Sequence, residues 1–195
     1  MAVGTAARIA SMASGTAAGG DIGISDSSDV SVAGAGEIVS ENAGTQAGGS
    51  IMVDSSAIKV DGADSRIASQ ASASGAGGAV DLTAPTVTVS SSGQIATAST
   101  STATVTGTGG KITIDSPSVN LTTSGSIVTA SSGAAAGGEV ELRNAAGSMS
   151  VIGDSGANSI SSTADGTGAG GALIFSASDT VTLDDLPLSS VTLSK

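Results

Sequence analysis

The chain has 195 residues, 17 acidic against 6 basic for a net charge of −11, no His, Cys, Trp or Tyr, and one aromatic residue, Phe175. That charge argues against binding to nucleic acid or an anionic membrane, both of which need clustered Lys or Arg, and the missing Cys excludes disulfides and thiolate metal sites. A round core takes its volume from Leu and aromatic rings, so a chain of Gly, Ala, Ser and Thr with recurring Ile and Val calls for a thin core. No apolar run reaches the roughly 18 residues of a membrane helix, and "MAVGTAARIA" lacks the basic and apolar stretches of a signal peptide.

Taken in chain order, Met1 and Val3 stand in the register of a second strand, and Ile9 and Ser11 precede the first of six glycine pairs at the spacing that most later units keep. Gly19 and Gly20 lead into the alternating doublet Ile22 and Ile24, a second doublet Val30 and Val32, and then Ile38 with Ser40. Gly48 and Gly49 lead into Ile51 and Val53, then Ile58 and Val60, then Ile67 and Ser69. The third unit reads Gly77 and Gly78, Val80 and Leu82, Val87 and Val89, Ile95 and Thr97, with an insertion expected as a loop around Thr100 to Thr106. The fourth reads Gly109 and Gly110, Ile112 and Ile114, Val119 and Leu121, Ile127 and Thr129. The fifth reads Gly137 and Gly138, Val140 and Leu142, Met149 and Val151, Ile160 and Ser162, and the sixth Gly170 and Gly171, Leu173 and Phe175, Val181 and Leu183.

The pairs thus recur with a period of roughly 30 residues. Such a period signals a solenoid, because one unit cannot bury its own apolar face and stacked units can. Each doublet has the period of two that marks a strand, which gives three short strands per coil. The fold class is therefore all-β: a parallel β-helix of triangular section, about six and a half coils and roughly 30 Å long at the usual strand spacing. Residues 1–195 form a single solenoid segment.

The structural positions follow from the period. Gly20, Gly49, Gly78, Gly110, Gly138 and Gly171 are expected at a corner that needs positive φ or close approach of backbone. Ile24, Val53, Leu82, Ile114, Leu142 and Phe175 are expected to point into the core. The hydroxyl column Ser11, Ser40, Ser69, Thr97, Thr129 and Ser162 is expected to stack inward and hydrogen-bond along the axis.

Motifs that carry chemistry elsewhere find little support here. "GDSG", Gly153 to Gly156, resembles a serine nucleophile signature, but the chain has no His to serve as base. "SAIK", Ser56 to Lys59, places Lys59 outward with no partner motif. Asp184 and Asp185 lack the groove and aromatics of polysaccharide-cleaving sites and read as a solvated corner, while "NLT" at Asn120 is a glycosylation pattern of chance frequency. "GTGGKIT" is not a P-loop, and no calcium-binding nonapeptide occurs. An ice-binding face would need a threonine ladder. The outward columns Gly23, Met52, Asp81, Thr113, Glu141, Ile174 and Ser31, Lys59, Thr88, Asn120, Ser150, Thr182 form none. No catalytic, cofactor or metal site is assigned.

The stretches "GGKITID" and "SVNLTTSGSIVTASS", with the return to "AGG", resemble the repeats of filamentous haemagglutinin-type bacterial adhesins. The resemblance implies a right-handed β-helix, secreted or displayed on a bacterial surface, that contacts host or neighbouring cells as a non-enzymatic stalk. The family's N-terminal secretion domain and C-terminal barrel are not seen, so the segment is expected to belong to a longer rod. The alternative is a fibre subunit that stacks end to end on copies of itself, since the terminal "VTLSK" carries no amphipathic cap and open strand edges are templates for pairing.

Overall fold

The computed structural model describes the chain apart from residues 74, 101–107, 134, 155, 187, 190, 191 and 195. The loop expected around Thr100 to Thr106 thus falls largely outside the described residues.

Every described element is a strand. A partial coil supplies β1 (Ala2–Val3) and β2 (Arg8–Ala13). Two coils follow in which the first and second strands run together around the corner: β3 (Ile22–Ala33) with β4 (Glu37–Asn42), and β5 (Ile51–Asp61) with β6 (Arg66–Ala71). Three coils then keep their strands separate. They are β7 (Ala79–Thr83), β8 (Thr86–Ser90) and β9 (Gln94–Ser99); β10 (Lys111–Asp115), β11 (Ser118–Thr122) and β12 (Ser126–Gly133); and β13 (Glu139–Asn144), β14 (Met149–Ile152) and β15 (Ser159–Gly166). The last coil holds β16 (Ala172–Ala177), β17 (Val181–Asp184) and β18 (Leu188–Ser189), and β19 (Thr192–Ser194) returns to the first face.

All pairing is parallel and always to the neighbouring coil, so the chain is a parallel β-solenoid of about 6 turns. The third face is a sheet of 7 strands, while the first and second faces merge into one sheet of 12 because β3 and β5 bend through their shared corner. In β3 that bend carries a register shift between Asp26 and Asp29. Seven strands at about 4.8 Å make a rod of roughly 30 Å.

The expected inward residues behave as the period requires. Val53, Leu82, Ile114, Leu142 and Phe175 are buried, and Ile24 is half-buried because no strand of the first face lies N-terminal to it. Val30 and Val32 in the same coil are fully buried, since β1 covers them and pairs Val3 with Val32. Each fully buried Ile or Val contributes about 1.5–3 kcal/mol relative to exposure, and stacking is what delivers it.

One register differs from the sequence reading. Val119 pairs with Val151 and Asn120 with Ile152, so Asn120 and Ser150 do not share an outward column. The cause is a wider corner. The path from Leu142 to Val151 is longer than the equivalent path from Ile114 to Val119, and Asn144 closes the extra turn by donating from Nδ2 to Ser148 O (2.7 Å) and accepting from Ala146 N (3.1 Å). Met149 still points inward and is buried, now opposite Val181. The corrected outward column, Lys59, Thr88, Asn120, Ile152 and Asp184, again holds no threonine ladder.

Candidate functional site

The six corner glycines form one seam along the rod, and close approach explains them better than conformation does. A Cβ on Gly49 would overlap the carbonyl oxygen of Gly20, one on Gly78 that of Gly49, one on Gly110 that of Gly78, one on Gly138 that of Gly110 and one on Gly171 that of Gly138. On Gly20 it would meet the Ser11 hydroxyl. Of the six only Gly110, at φ 88, is in the left-handed region.

The hydroxyl column lies inside this seam. Ser40 Oγ donates to Gly20 O (3.0 Å) and accepts from Gly49 N (3.0 Å), bridging the corners of two coils. Ser69 Oγ donates to Gly49 O (2.6 Å) and Ser162 Oγ to Gly138 O (2.6 Å). The expected bonding along the axis is found once among the described residues, from Thr129 Oγ1 to Ser162 Oγ (2.8 Å). At Ser40, Ser69 and Ser162 the hydroxyl reaches the glycine carbonyl because the missing Cβ lets it come close. Thr97 Oγ1 is buried and has no partner.

Left-handed backbone instead occupies the corner between the second and third strands. Gly34 and Ala35, Ser91 and Ser92, and Thr123 and Ser124 are consecutive residues at φ between 50 and 67. The next residue is Gly36, Gly93 or Gly125, each pressed against a backbone carbonyl of the preceding coil. Ser65 and Asn158 stand in the equivalent place, and their side chains are used. Ser65 Oγ accepts from Ala35 N (3.1 Å), and Asn158 Oδ1 accepts from Gly125 N (3.1 Å). This second column escaped the sequence reading. Its signal is a Gly, Ser or Asn two places before each third-strand isoleucine from Ile38 to Ile160.

Outward side chains are tied across coils. Arg8 and Arg66 flank Glu37 and Glu41 on the third face, with N–O distances of 2.7 to 3.4 Å, and Val39 and Ala68, between these positions along their strands, are buried. On the first face Lys111 binds Glu139 (2.7 Å) and Glu141 (2.8 Å), and Arg143 binds Asp115 (3.1 Å). Glu139 first, then Glu141, hold the Lys111 ammonium above its ordinary pKa, and Glu41 does the same for Arg8. Arg8, Glu37 and Arg66 pair in register on successive coils, so opposite charges one period apart were the sequence signal for this lattice.

Ser155 of "GDSG" lies outside the described residues. Its neighbour Asp154 accepts from Asn158 Nδ2 (2.6 Å), Thr123 N (2.8 Å) and Gly156 N (2.9 Å), and these bonds hold its carboxyl below the usual range. Lys59 points outward and pairs with Asp61 (3.1 Å). Asp184 and Asp185 are exposed at a corner where Asp185 has φ 51. Asn120 is half-buried on the outer second face and donates to Ser118 Oγ (3.4 Å).

Shallow hollows mark the surface. One of about 300 Å³ lies beside the exposed Met12, and another of about 500 Å³ runs along the glycine seam past Lys111 and Glu139. The first is lined by Ser14, Glu41 and Ser72 and the second by Thr108, Lys111 and Glu139, and among the described residues no three acidic side chains are placed to hold a metal. Comparison with protein-family models, curated proteins and solved structures returns no match.

Proposed function

We propose that the chain is a non-enzymatic structural segment of a secreted or surface-displayed bacterial adhesin, serving as a rigid stalk with an outer contact surface. The observation that carries this reading is the commitment of polar chemistry to the stack. Arg8, Lys59, Arg66, Lys111 and Arg143 are all in ion pairs, and most of the seam hydroxyls are bonded to backbone or to one another. Side chains used this way stiffen a rod. The likeness of "GGKITID" and its companions to adhesin repeats supplies the bacterial surface and the host or neighbouring cell as partner.

Antibody labelling of intact cells that produce the protein tests the location: label on unpermeabilised cells is expected, and label that appears only after permeabilisation sinks the reading. Beads coated with the purified chain test the contact role. Adherence to host or bacterial cells no better than that of uncoated beads would leave only the stalk.

A further inference from the structure

Two exposed methionines stand on the flat faces, and their surroundings differ. Met12 on the third face is 67% exposed, and the charges around it are satisfied. It stacks on Glu41, which holds both Arg8 and Arg66, and its sulfur accepts from Arg8 Nη1 (3.5 Å). Met52 on the first face is 58% exposed. Its strand, β5, lies between β3 and β7, so this is not the exposure of an edge. The coil before sets Gly23 opposite Met52, with no side chain to cover it, and the coil after sets Asp81 there. Asp54 follows two residues along β5 and points outward with it. Among the described residues neither Asp54 nor Asp81 has a hydrogen-bond or ion-pair partner. Farther along the same face the pattern reverses. Asp115, Glu139 and Glu141 are paired with Arg143 or Lys111, and Thr113, in the column of Met52, is buried beside Glu141.

We propose that Met52, Asp54 and Asp81 form a docking surface for an extended segment of a partner protein that carries Lys or Arg on both sides of an apolar residue. Charge decides the occupant. A second copy of this chain brings a further net charge of −11, and its described Arg and Lys side chains already hold carboxylates. Nucleic acid and an anionic lipid surface are repelled. Spacing decides the arrangement. Asp81 lies one coil from Met52, about 4.8 Å away, and Asp54 two residues along the strand, about 6.8 Å away. The two carboxylates thus stand on different sides of the thioether, and an extended chain presents every second side chain to one face at a matching interval. The partner's apolar side chain rests on Met52 above Gly23, and its cations complete the pairing that Lys111 and Arg143 supply farther along. A flexible, polarizable thioether suits such a contact because it adapts to the side chain it meets. The surface is set by side chains of adjoining coils and is independent of the adhesin reading.

NMR of the intact chain, labelled at its methionine methyls, tests the surface with a capped Lys-Ser-Leu-Ser-Lys peptide as probe. The Met52 methyl should shift and saturate while those of Met12 and the buried Met149 stay in place. Changing the leucine of the probe to serine should weaken binding about tenfold, and Asp54→Asn with Asp81→Asn about fivefold. No saturable shift at Met52, an equal shift at Met12, or a serine probe that binds as well as the leucine one would overturn the proposal. So would an asparagine variant that binds as tightly as the parent. If that variant does not fold, the two titrations of the intact chain decide.

Discussion

The two glycine-bearing corners solve different problems. At the seam before the first strand, glycine stands where a Cβ would strike the carbonyl of the coil below, and five of the six key glycines have ordinary φ. At the corner before the third strand the backbone itself is left-handed, yet Ala, Ser and Thr occupy it at Ala35, Ser91, Ser92, Thr123 and Ser124. A non-glycine residue there costs about 1–2 kcal/mol, a strain the stack absorbs. A collision with backbone of a neighbouring coil has no such remedy, because moving one coil moves every coil beyond it.

The largest test of this contrast is Gly49→Ala, which should lower stability by about 3 kcal/mol in a denaturant titration. A loss of only a few tenths would mean the seam has slack. Next is Ser162→Ala, which removes the acceptor of Thr129 Oγ1 and the donor to Gly138 O, with an expected loss of about 2 kcal/mol.

At the other corner Asp154 gives a pH signature. Its folded pKa lies below the ordinary carboxylate value of about 3.9, so its contribution is fully present above that value and fades as pH falls through the folded pKa. The difference in melting temperature between the parent and Asp154→Asn should be constant near neutrality and shrink below about pH 4. A difference that does not change with pH would show that the charge is not what holds this corner.

Ser92→Gly should raise stability by about 0.5 kcal/mol, the relief of left-handed strain less the added chain entropy. A loss of comparable size would show that the serine is not strained. The smallest effect belongs to Thr97→Val. Its hydroxyl has no partner, so the midpoint should hold or rise slightly, and a clear drop would reveal a bond the column has concealed.

Much of this architecture was legible because glycine pairs and apolar doublets repeat together. The inward set from Val53 to Phe175 follows from a period of two nested within the longer period of the coil. What escaped has physical reasons. The slip that sets Val119 against Val151 depends on how much chain a corner holds, and Asn144 closes a wider corner without altering the apolar alternation of Met149 and Val151. The left-handed corner has its conformational marker, glycine, at Gly34, but carries Ala, Ser or Thr at Ala35, Ser91, Ser92, Thr123 and Ser124. Glu37 and Arg66 were visible as charges, but their pairing appears only when residues one coil apart are laid side by side.

Every strand pairs only with the coil before or after it. Growth of the structure is thus a propagation: a formed coil presents a template of hydrogen bonds and a shelf of isoleucines, and the next coil's length of chain settles on it without waiting for distant parts of the molecule. A load applied at one end would likewise be released coil by coil, with the remainder of the rod still folded and able to serve as the template for its own repair.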